Sequence, residues 1–160
     1  MNNVISINRA IEISRQLKNK KKKIVLAGGC FDILHIGHIT FLEKARAEGD
    51  VLIILLESDE SIRKSKGKNR PINTLEDRAK ILAALKSVDL VVKLPPIESN
   101  QEYDDLVEKI RPDIIATAIG DKAISHKKRQ AKKLGIELKV VMKVLKDKST
   151  TNLVKLLGYF

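Results

Sequence analysis

Short aliphatic runs alternate with amphipathic stretches along the whole chain. Within residues 50–56 the chain is apolar without a break after Asp50, which is typical of a strand buried on both faces. Residues 5–17 instead carry apolar side chains at helical spacing. Read in this way, the pattern predicts strands at 24–27, 50–56, 89–92, 113–117 and 137–144. It predicts helices at 5–17, 37–47, 74–85, 101–110, 122–134 and 150–157.

This alternation of strands and helices predicts an α/β fold. Repeated β–α units form an open parallel sheet with helices on both faces, so we expect a Rossmann-like sheet of about five strands. At 160 residues the chain is long enough for one domain with a real core. We expect residues 1–22 to form an N-terminal helix and a basic linker, and residues 23–160 to form the functional core.

Composition narrows the class of protein further. Aromatic residues make up 3% of the chain, so the core must be aliphatic. A single cysteine excludes a disulfide framework and fits a reducing compartment, and neither a signal-peptide run nor a membrane-length segment occurs. These features predict a cytoplasmic protein that does not engage membranes.

The net charge of +11 favours anionic ligands. Lysines are concentrated in residues 18–23, but no aromatic residues are interleaved with them to stack on bases. A solvated linker is therefore the favoured interpretation, and nucleic-acid binding is the less favoured alternative. Attraction of phosphorylated small molecules is a simpler use of the excess charge.

The turn after the first strand carries the candidate chemistry. Two glycines end the strand, and His35 and His38 follow where a helix begins near Gly37. The histidines are three residues apart and project to the same side, and helix N-termini favour phosphate. No third ligand lies nearby at metal-site spacing, so we assign no protein metal site. The alternative is that both histidines only cap the helix.

The segment GGCFDILHIGHITFLEKARAEGD resembles the first signature of the cytidylyltransferase-like nucleotidyltransferases, H-x-G-H after an F-D turn. The resemblance implies that 1–160 is a single nucleotidyltransferase domain in which His35 and His38 stabilise the α-phosphate of a nucleoside triphosphate. It also implies that surrounding residues bind the nucleotide, namely Gly29, Cys30, Phe31, Asp32 and Gly37. Cys30 occupies a position that is more often Thr or Val in the family.

A second stretch, K-G followed by RPIN-x-x-E-x-R, resembles the heptose-phosphate branch of the same family. Residues 63–71 are rich in charge and contain glycine and proline, which predicts a mobile basic loop. By resemblance, Lys66 and Arg78 bind the β- and γ-phosphates. The alternative for Arg78 is a surface ion pair with Glu76 or Asp59.

Two further motifs follow the fourth and fifth predicted strands. Gly120 and Asp121 match the nucleotide-binding G-D of the family, although Ala118 and Ile119 depart from the K-G-G-D that is common in the heptose enzymes. The hydroxyl residues Ser149, Thr150 and Thr151 precede an asparagine and resemble the S-T-T-N of the same branch, which closes on the nucleotide.

Taken together, the resemblance implies transfer of a nucleoside monophosphate from ATP or CTP, with Mg²⁺ arriving on the triphosphate. The acceptor would be a phosphorylated small molecule, with a sugar 1-phosphate such as heptose 1-phosphate favoured. Glycerol 3-phosphate with CTP and FMN with ATP remain open, as does a non-catalytic nucleotide- or RNA-binding module. The family commonly dimerises, so a homodimer is an open alternative to a monomer.

Overall fold

The computed structural model describes residues 3–144, 150–156 and 158. Within these ranges the strands are β1 (Val4–Ile5), β2 (Ile24–Gly29), β3 (Val51–Leu56), β4 (Leu90–Lys93), β5 (Ile114–Ile119) and β6 (Glu137–Lys143). The helices are α1 (Ile7–Asn19), α2 (Ile36–Arg46), α3 (Asp59–Lys66), α4 (Leu75–Ala83), α5 (Asn100–Ile110), α6 (Ile124–Leu134) and α7 (Thr150–Leu156).

The strands form one parallel sheet in the order β1-β4-β3-β2-β5-β6. The prediction of a Rossmann-like α/β fold is confirmed, with one strand more than expected. That extra strand, β1, lies at the sheet edge and pairs with β4. Its two residues are too few to show an alternation of apolar and polar positions, so the hydrophobic pattern could not reveal it.

Two apolar layers, one on each face, hold the helices to the sheet. Alternate residues of β2 and β3 face opposite ways. Val25 and Ala27 pack in the layer that contains Leu42 and Ala45 of α2. The opposite layer joins Ile24, Leu26, Ile53 and Leu55 to residues of α1, α5 and α6, among them Ala10, Val107 and Ala131. Each fully buried Leu or Ile stabilises the fold by about 1.5–3 kcal/mol, so these layers fix the sheet on which the site is built.

The segment after β3 differs from the predicted mobile loop. Residues Asp59–Lys66 form helix α3, and the Ser58 side chain caps it by accepting from the backbone N–H of Ser61 at 3.1 Å. Acidic residues occupy its first turn and basic residues its last, which complements the helix dipole. The expectation of a loop over 63–71 was therefore wrong for its first four residues, because charge was taken as a loop signal when it stabilises a short capped helix.

The lysine run at 18–23 is partly used within the fold. Lys18 forms an ion pair with Asp113, and Lys22 lies 3.2 Å from Asp50. Both aspartates also accept backbone N–H groups at the start of β2, from Ile24 and Lys23 respectively. These contacts tie the linker to the amino-terminal edge of the sheet, opposite the edge at which strand-end loops form a site.

No helix in the described part of the chain is long and apolar enough to span a membrane. The longest of the helices, α1, has 13 residues.

Candidate active site

A cavity of about 290 Å³ opens at the carboxyl ends of β2 and β5. The chain leaves β2 through α2 on one face of the sheet and returns to β5 through α5 on the other face. Such a reversal of strand order leaves a crevice in which α/β proteins bind ligands. Both predicted histidines line the cavity, together with Lys66, Asp121 and Thr150.

His35 begins helix α2 and its ring is fixed by its own backbone. It is the N-cap residue, and its Nδ1 accepts the backbone N–H of Gly37 at 3.1 Å. Because Nδ1 is an acceptor in this bond, the proton of the neutral ring resides on Nε2. The capping role considered for the sequence is therefore real for His35, and it leaves the Nε2–H group available to donate to a ligand.

His38 lies against His35 within the same turn of helix. Their ring centroids are 3.9 Å apart, with 30° between the ring planes, and Phe31 lies 5.4 Å away from His38. Burial, followed by the charges of His35 and Lys66, lowers the pKa of His38 to about 4. Burial also lowers the pKa of His35. Both shifts favour the neutral form of the imidazoles near pH 7, in which a ring N–H can donate a hydrogen bond.

Two lysines supply positive charge to the cavity. Lys66 is the last residue of α3 and lines the cavity, and its contact with a phosphate stays a prediction. Lys127, on α6, also lines it, and its Nζ lies 2.7 Å from Oδ2 of Asp121. Sequence analysis missed Lys127, because α6 carries several lysines. Its position six residues after Asp121, on the helix that follows β5, was the one available signal.

Asp121 is held in place by several donors. Thr117 donates its hydroxyl at 3.0 Å and Ala123 its backbone N–H at 2.8 Å. Burial alone would raise the pKa of Asp121, but the Lys127 ammonium and these hydrogen bonds keep it below its usual value. Gly120, with φ of +91°, is exposed and does not line the cavity. Gly120 therefore serves the turn that presents Asp121, and its contact with a nucleotide stays a prediction.

Asp32 has a structural task in addition to its place on the cavity wall. Its carboxylate accepts from Arg70 Nε at 2.7 Å and from the backbone N–H groups of Ile72 and Asn73 at about 3 Å. Both side chains of the Asp32–Arg70 ion pair are buried. Asp32 thus anchors the segment that follows α3 to the histidine turn.

Arg78 is placed behind the site and not in it, which corrects the expectation that it contacts the β- and γ-phosphates. Its side chain has no exposed surface and does not line the cavity. The guanidinium donates to the backbone oxygens of Cys30, Asn73 and Glu57, and to Asp59 Oδ1. The ion pair with Asp59 considered for the sequence is present, but it is buried on the arginine side instead of lying on the surface.

The remaining residues that were predicted to bind the nucleotide line the cavity, except one that lies outside the described ranges. Cys30, Gly29, Phe31 and Gly37 line the cavity, and burial raises the pKa of the Cys30 thiol. Thr150 and Thr151 line it from the start of α7, and the Thr150 hydroxyl donates to the backbone oxygen of Ile33 at 3.0 Å. Ser149 lies outside the described residues. Contact of these groups with a nucleotide stays a prediction.

No cluster of three or more His, Cys, Asp or Glu side chains able to hold a metal ion occurs among the described residues.

Comparison with known proteins finds a matching family and several relatives. The model of the cytidylyltransferase-like family matches residues 26–155. The bifunctional protein HldE of Aliarcobacter butzleri is 45% identical over 144 residues, which cover 90% of this chain and 29% of that protein. HldE of Helicobacter hepaticus is 42% identical over 139 residues, which cover 85% and 27% respectively. The chain therefore spans less than a third of the length of these relatives.

Solved structures show the same fold. A lipopolysaccharide core biosynthesis protein from Thermoplasma volcanium is 28% identical, with a TM-score of 0.61 over 77% of this chain and 96% of the other. Pantoate-beta-alanine ligase from Francisella tularensis is 20% identical, with a TM-score of 0.59 over 89% and 66%, and shares the fold alone. The family match, the relatives and the paired histidines at the β2–α2 turn lead to one conclusion: this chain belongs to the cytidylyltransferase-like family of nucleotidyltransferases.

Proposed function

We propose that the chain transfers AMP from ATP to a sugar 1-phosphate, with heptose 1-phosphate favoured, and releases pyrophosphate. The observation that carries the proposal is the pair His35 and His38, whose rings lie 3.9 Å apart on the wall of the strand-end cavity. Two converging imidazole donors suit the oxygens of an α-phosphate, on which negative charge develops during transfer.

The reaction proceeds by a single displacement. A phosphate oxygen of the acceptor attacks the α-phosphorus in line, the bond to the α–β bridging oxygen breaks, and its electron pair leaves with pyrophosphate. The positive charge of Mg²⁺ bound to the triphosphate would be available to the leaving pyrophosphate. The chain needs no covalent intermediate. The buried Cys30 has a raised thiol pKa, which opposes its use as a nucleophile. The protein contributes positioning and stabilisation of charge.

The cavity also contains two cations that can bind the phosphates of the leaving group. Lys66 and Lys127 stand on different helices, α3 and α6, and both face the cavity. Point charges of this kind suit the β- and γ-phosphates of the triphosphate. The hydroxyls of Thr150 and Thr151 add neutral donors at the start of α7. Arg78 acts only by holding the turn on which this arrangement depends.

Sequence detail supports the choice of substrates. The RPIN-x-x-E-x-R stretch and the S-T-T-N motif resemble the heptose adenylyltransferases. The glycerol-phosphate cytidylyltransferases carry an arginine shortly before the hydroxyl motif, where this chain has Val144, Leu145 and Lys146. The similarity to bifunctional HldE proteins supports the same assignment.

The first test removes one imidazole. His38→Ala should lower kcat by about 100- to 1000-fold, which is the typical effect of deleting one donor to a developing charge. The matched control is His126→Ala, since His126 lies on α6 and does not line the cavity. It should keep kcat within about twofold of the unchanged protein. Near-normal turnover of a folded His38→Ala variant would remove the histidine pair from the mechanism.

The second test measures pyrophosphate release with ATP and CTP separately. The acceptor panel contains heptose 1-phosphate, glycerol 3-phosphate, phosphocholine and FMN. Release with ATP and heptose 1-phosphate alone supports the proposal. Release with CTP and glycerol 3-phosphate would move the chain to the glycerol-phosphate branch. Salt-dependent RNA binding without pyrophosphate release on any acceptor would favour the non-catalytic module.

A further inference from the structure

Strand β6 contains an irregularity that changes which of its side chains face the cavity. Thr117 of β5 pairs with Val140 of β6, but the next residue, Ala118, pairs with Met142. Val141 is therefore an extra residue, which is the pattern of a β-bulge. Because the side chains of a strand alternate between the two faces of a sheet, one extra residue moves every later side chain to the opposite face. Bulges occur frequently beside functional sites, where they re-aim a side chain.

The bulge turns Met142 toward the face of the sheet that α2 covers. Leu138, four positions earlier on β6, packs in the opposite apolar layer, with residues of α1, α5 and α6. In a regular strand Met142 would face the same way as Leu138, because side chains four positions apart lie on one face. Instead Met142 is paired with Ala118, and both residues line the cavity together with Val144. The extra residue therefore places the Met142 side chain at the cavity.

The side chains that β5 and β6 contribute to the cavity are apolar. Ala118, Met142 and Val144 form what we call the aliphatic wall. The backbone N–H of Val144 donates to the oxygen of Ile119 at 2.8 Å, so the pairing of the two strands supports the wall up to this residue. The histidines and lysines of the lining come instead from the start of α2, from α3 and from α6. The cavity thus offers both charge and aliphatic surface, which suits a ligand with a phosphate end and an apolar end.

We infer that the aliphatic wall binds the base of the nucleoside triphosphate and that Met142 selects a purine over a pyrimidine. This inference rests on the proposed function and adds the residue that selects the nucleotide. A sugar phosphate carries hydroxyl or phosphate groups on nearly every carbon, so of the two substrates the triphosphate, through its base, gains more from aliphatic contact. The methionine thioether is flexible and polarisable and adapts to a flat ring. A purine covers more of the wall than a pyrimidine, and the gain scales with the apolar area buried.

The test measures the Kd of ATP and of CTP, each with Mg²⁺ and without an acceptor, by isothermal titration calorimetry. Met142→Ala should weaken ATP binding about tenfold, the lower end of the effect of a methylene in a hydrophobic pocket, and CTP binding about threefold. Met142→Leu keeps the volume and should hold both Kd values within about twofold. The matched control is Val140→Ala, because Val140 precedes the bulge on the same strand, is exposed and does not line the cavity. It should leave both Kd values unchanged.

The acceptor plays no part in this measurement, so the inference and the proposed function can fail separately. If Met142→Ala lowers only the midpoint of urea unfolding and keeps the affinity for ATP, the residue supports the fold and the inference is refuted. An equal loss of affinity for ATP and CTP would refute selection of a purine by Met142. ATP binding that depends on Met142, without pyrophosphate release on heptose 1-phosphate, would uphold the inference and refute the proposed acceptor. An unchanged protein that binds neither triphosphate would refute both.

Discussion

Replacement of the buried Arg78 by lysine should destabilise the fold before it affects nucleotide binding. The guanidinium spans three parts of the chain, because it donates to Cys30 O at 2.7 Å, Glu57 O at 2.9 Å and Asn73 O at 3.1 Å. Its fourth partner is Asp59 Oδ1 at 2.7 Å. One side chain thus connects the histidine turn, the end of β3 and the start of α4.

The size of the effect follows from these four acceptors. A lysine ammonium is a single point and can reach about half of the positions that the planar guanidinium fork serves, so about two acceptors lose their donor. Each buried acceptor left without a partner costs about 1–3 kcal/mol. We therefore expect Arg78→Lys to lower the free energy of unfolding by about 2–6 kcal/mol, which corresponds to a Tm about 4–24 °C lower for a domain of this size.

Equilibrium urea unfolding of the variant beside the unchanged protein measures this difference. Arg15→Lys is the matched control, because Arg15 is exposed on α1 and its replacement should leave the unfolding midpoint unchanged. Below the transition, Arg78→Lys should keep KM for ATP within about threefold. An unchanged midpoint together with a KM for ATP raised tenfold or more would refute the buried anchor and restore the phosphate contact expected from sequence.

Three further perturbations test other parts of the site. The folded-state pKa of His38, about 4, lies below its ordinary value of 6.5, so the unfolded chain takes up a proton first as the pH falls. The free energy of unfolding should thus fall by up to about 3 kcal/mol between about pH 6.5 and pH 4. Urea titrations at these two pH values should show a smaller fall for His38→Gln. Equal falls in the two proteins would contradict a buried neutral ring. Lys127→Met should raise KM for ATP about tenfold, because it removes a cation from the cavity and leaves Asp121 without its ion pair. An unchanged KM for ATP would exclude Lys127 from the nucleotide site. Gly28→Ala should lower the free energy of unfolding by about 1–3 kcal/mol, because the added Cβ clashes with the Tyr103 hydroxyl. Adding Tyr103→Phe should recover part of this loss. If the double variant recovers no stability, the strain arises from another contact.

The sheet could be predicted well because strands that are covered by helices on both faces are apolar at every position. Residues 51–56 are apolar throughout, since both faces of β3 are covered by helices. Strand β1 has no such signature, because two residues at an edge are specified by their partner β4. Helix α3 was missed for a related reason. Its N-cap and the placement of acidic residues in its first turn and basic residues in its last turn stabilise it without an apolar stripe, and Ile62 is its one buried residue.

The site could be predicted where its residues come from one turn. His35 and His38 are neighbours in sequence, so local geometry alone brings them together. Arg78 shows the opposite case. Its partners are backbone oxygens up to 48 residues away, and carbonyl groups are present at every position of any sequence. Neither the spacing nor the charge of the sequence could show that the Arg78 guanidinium is hydrogen-bonded inside the protein. Lys127 was missed because its sequence context resembles that of the other lysines of α6.

The double attachment of the segment that bears Lys66 has a consequence for the entropy of binding. Ser58 caps α3 directly after β3, and the Asp32 carboxylate fixes residues 70–73 beyond its other end. The backbone that carries this ammonium is thereby ordered when the protein folds, so its conformational freedom is given up before any ligand arrives. For the triphosphate proposed as substrate, binding to Lys66 would then immobilise one flexible side chain, at about 0.5–1.5 kcal/mol, instead of a whole loop.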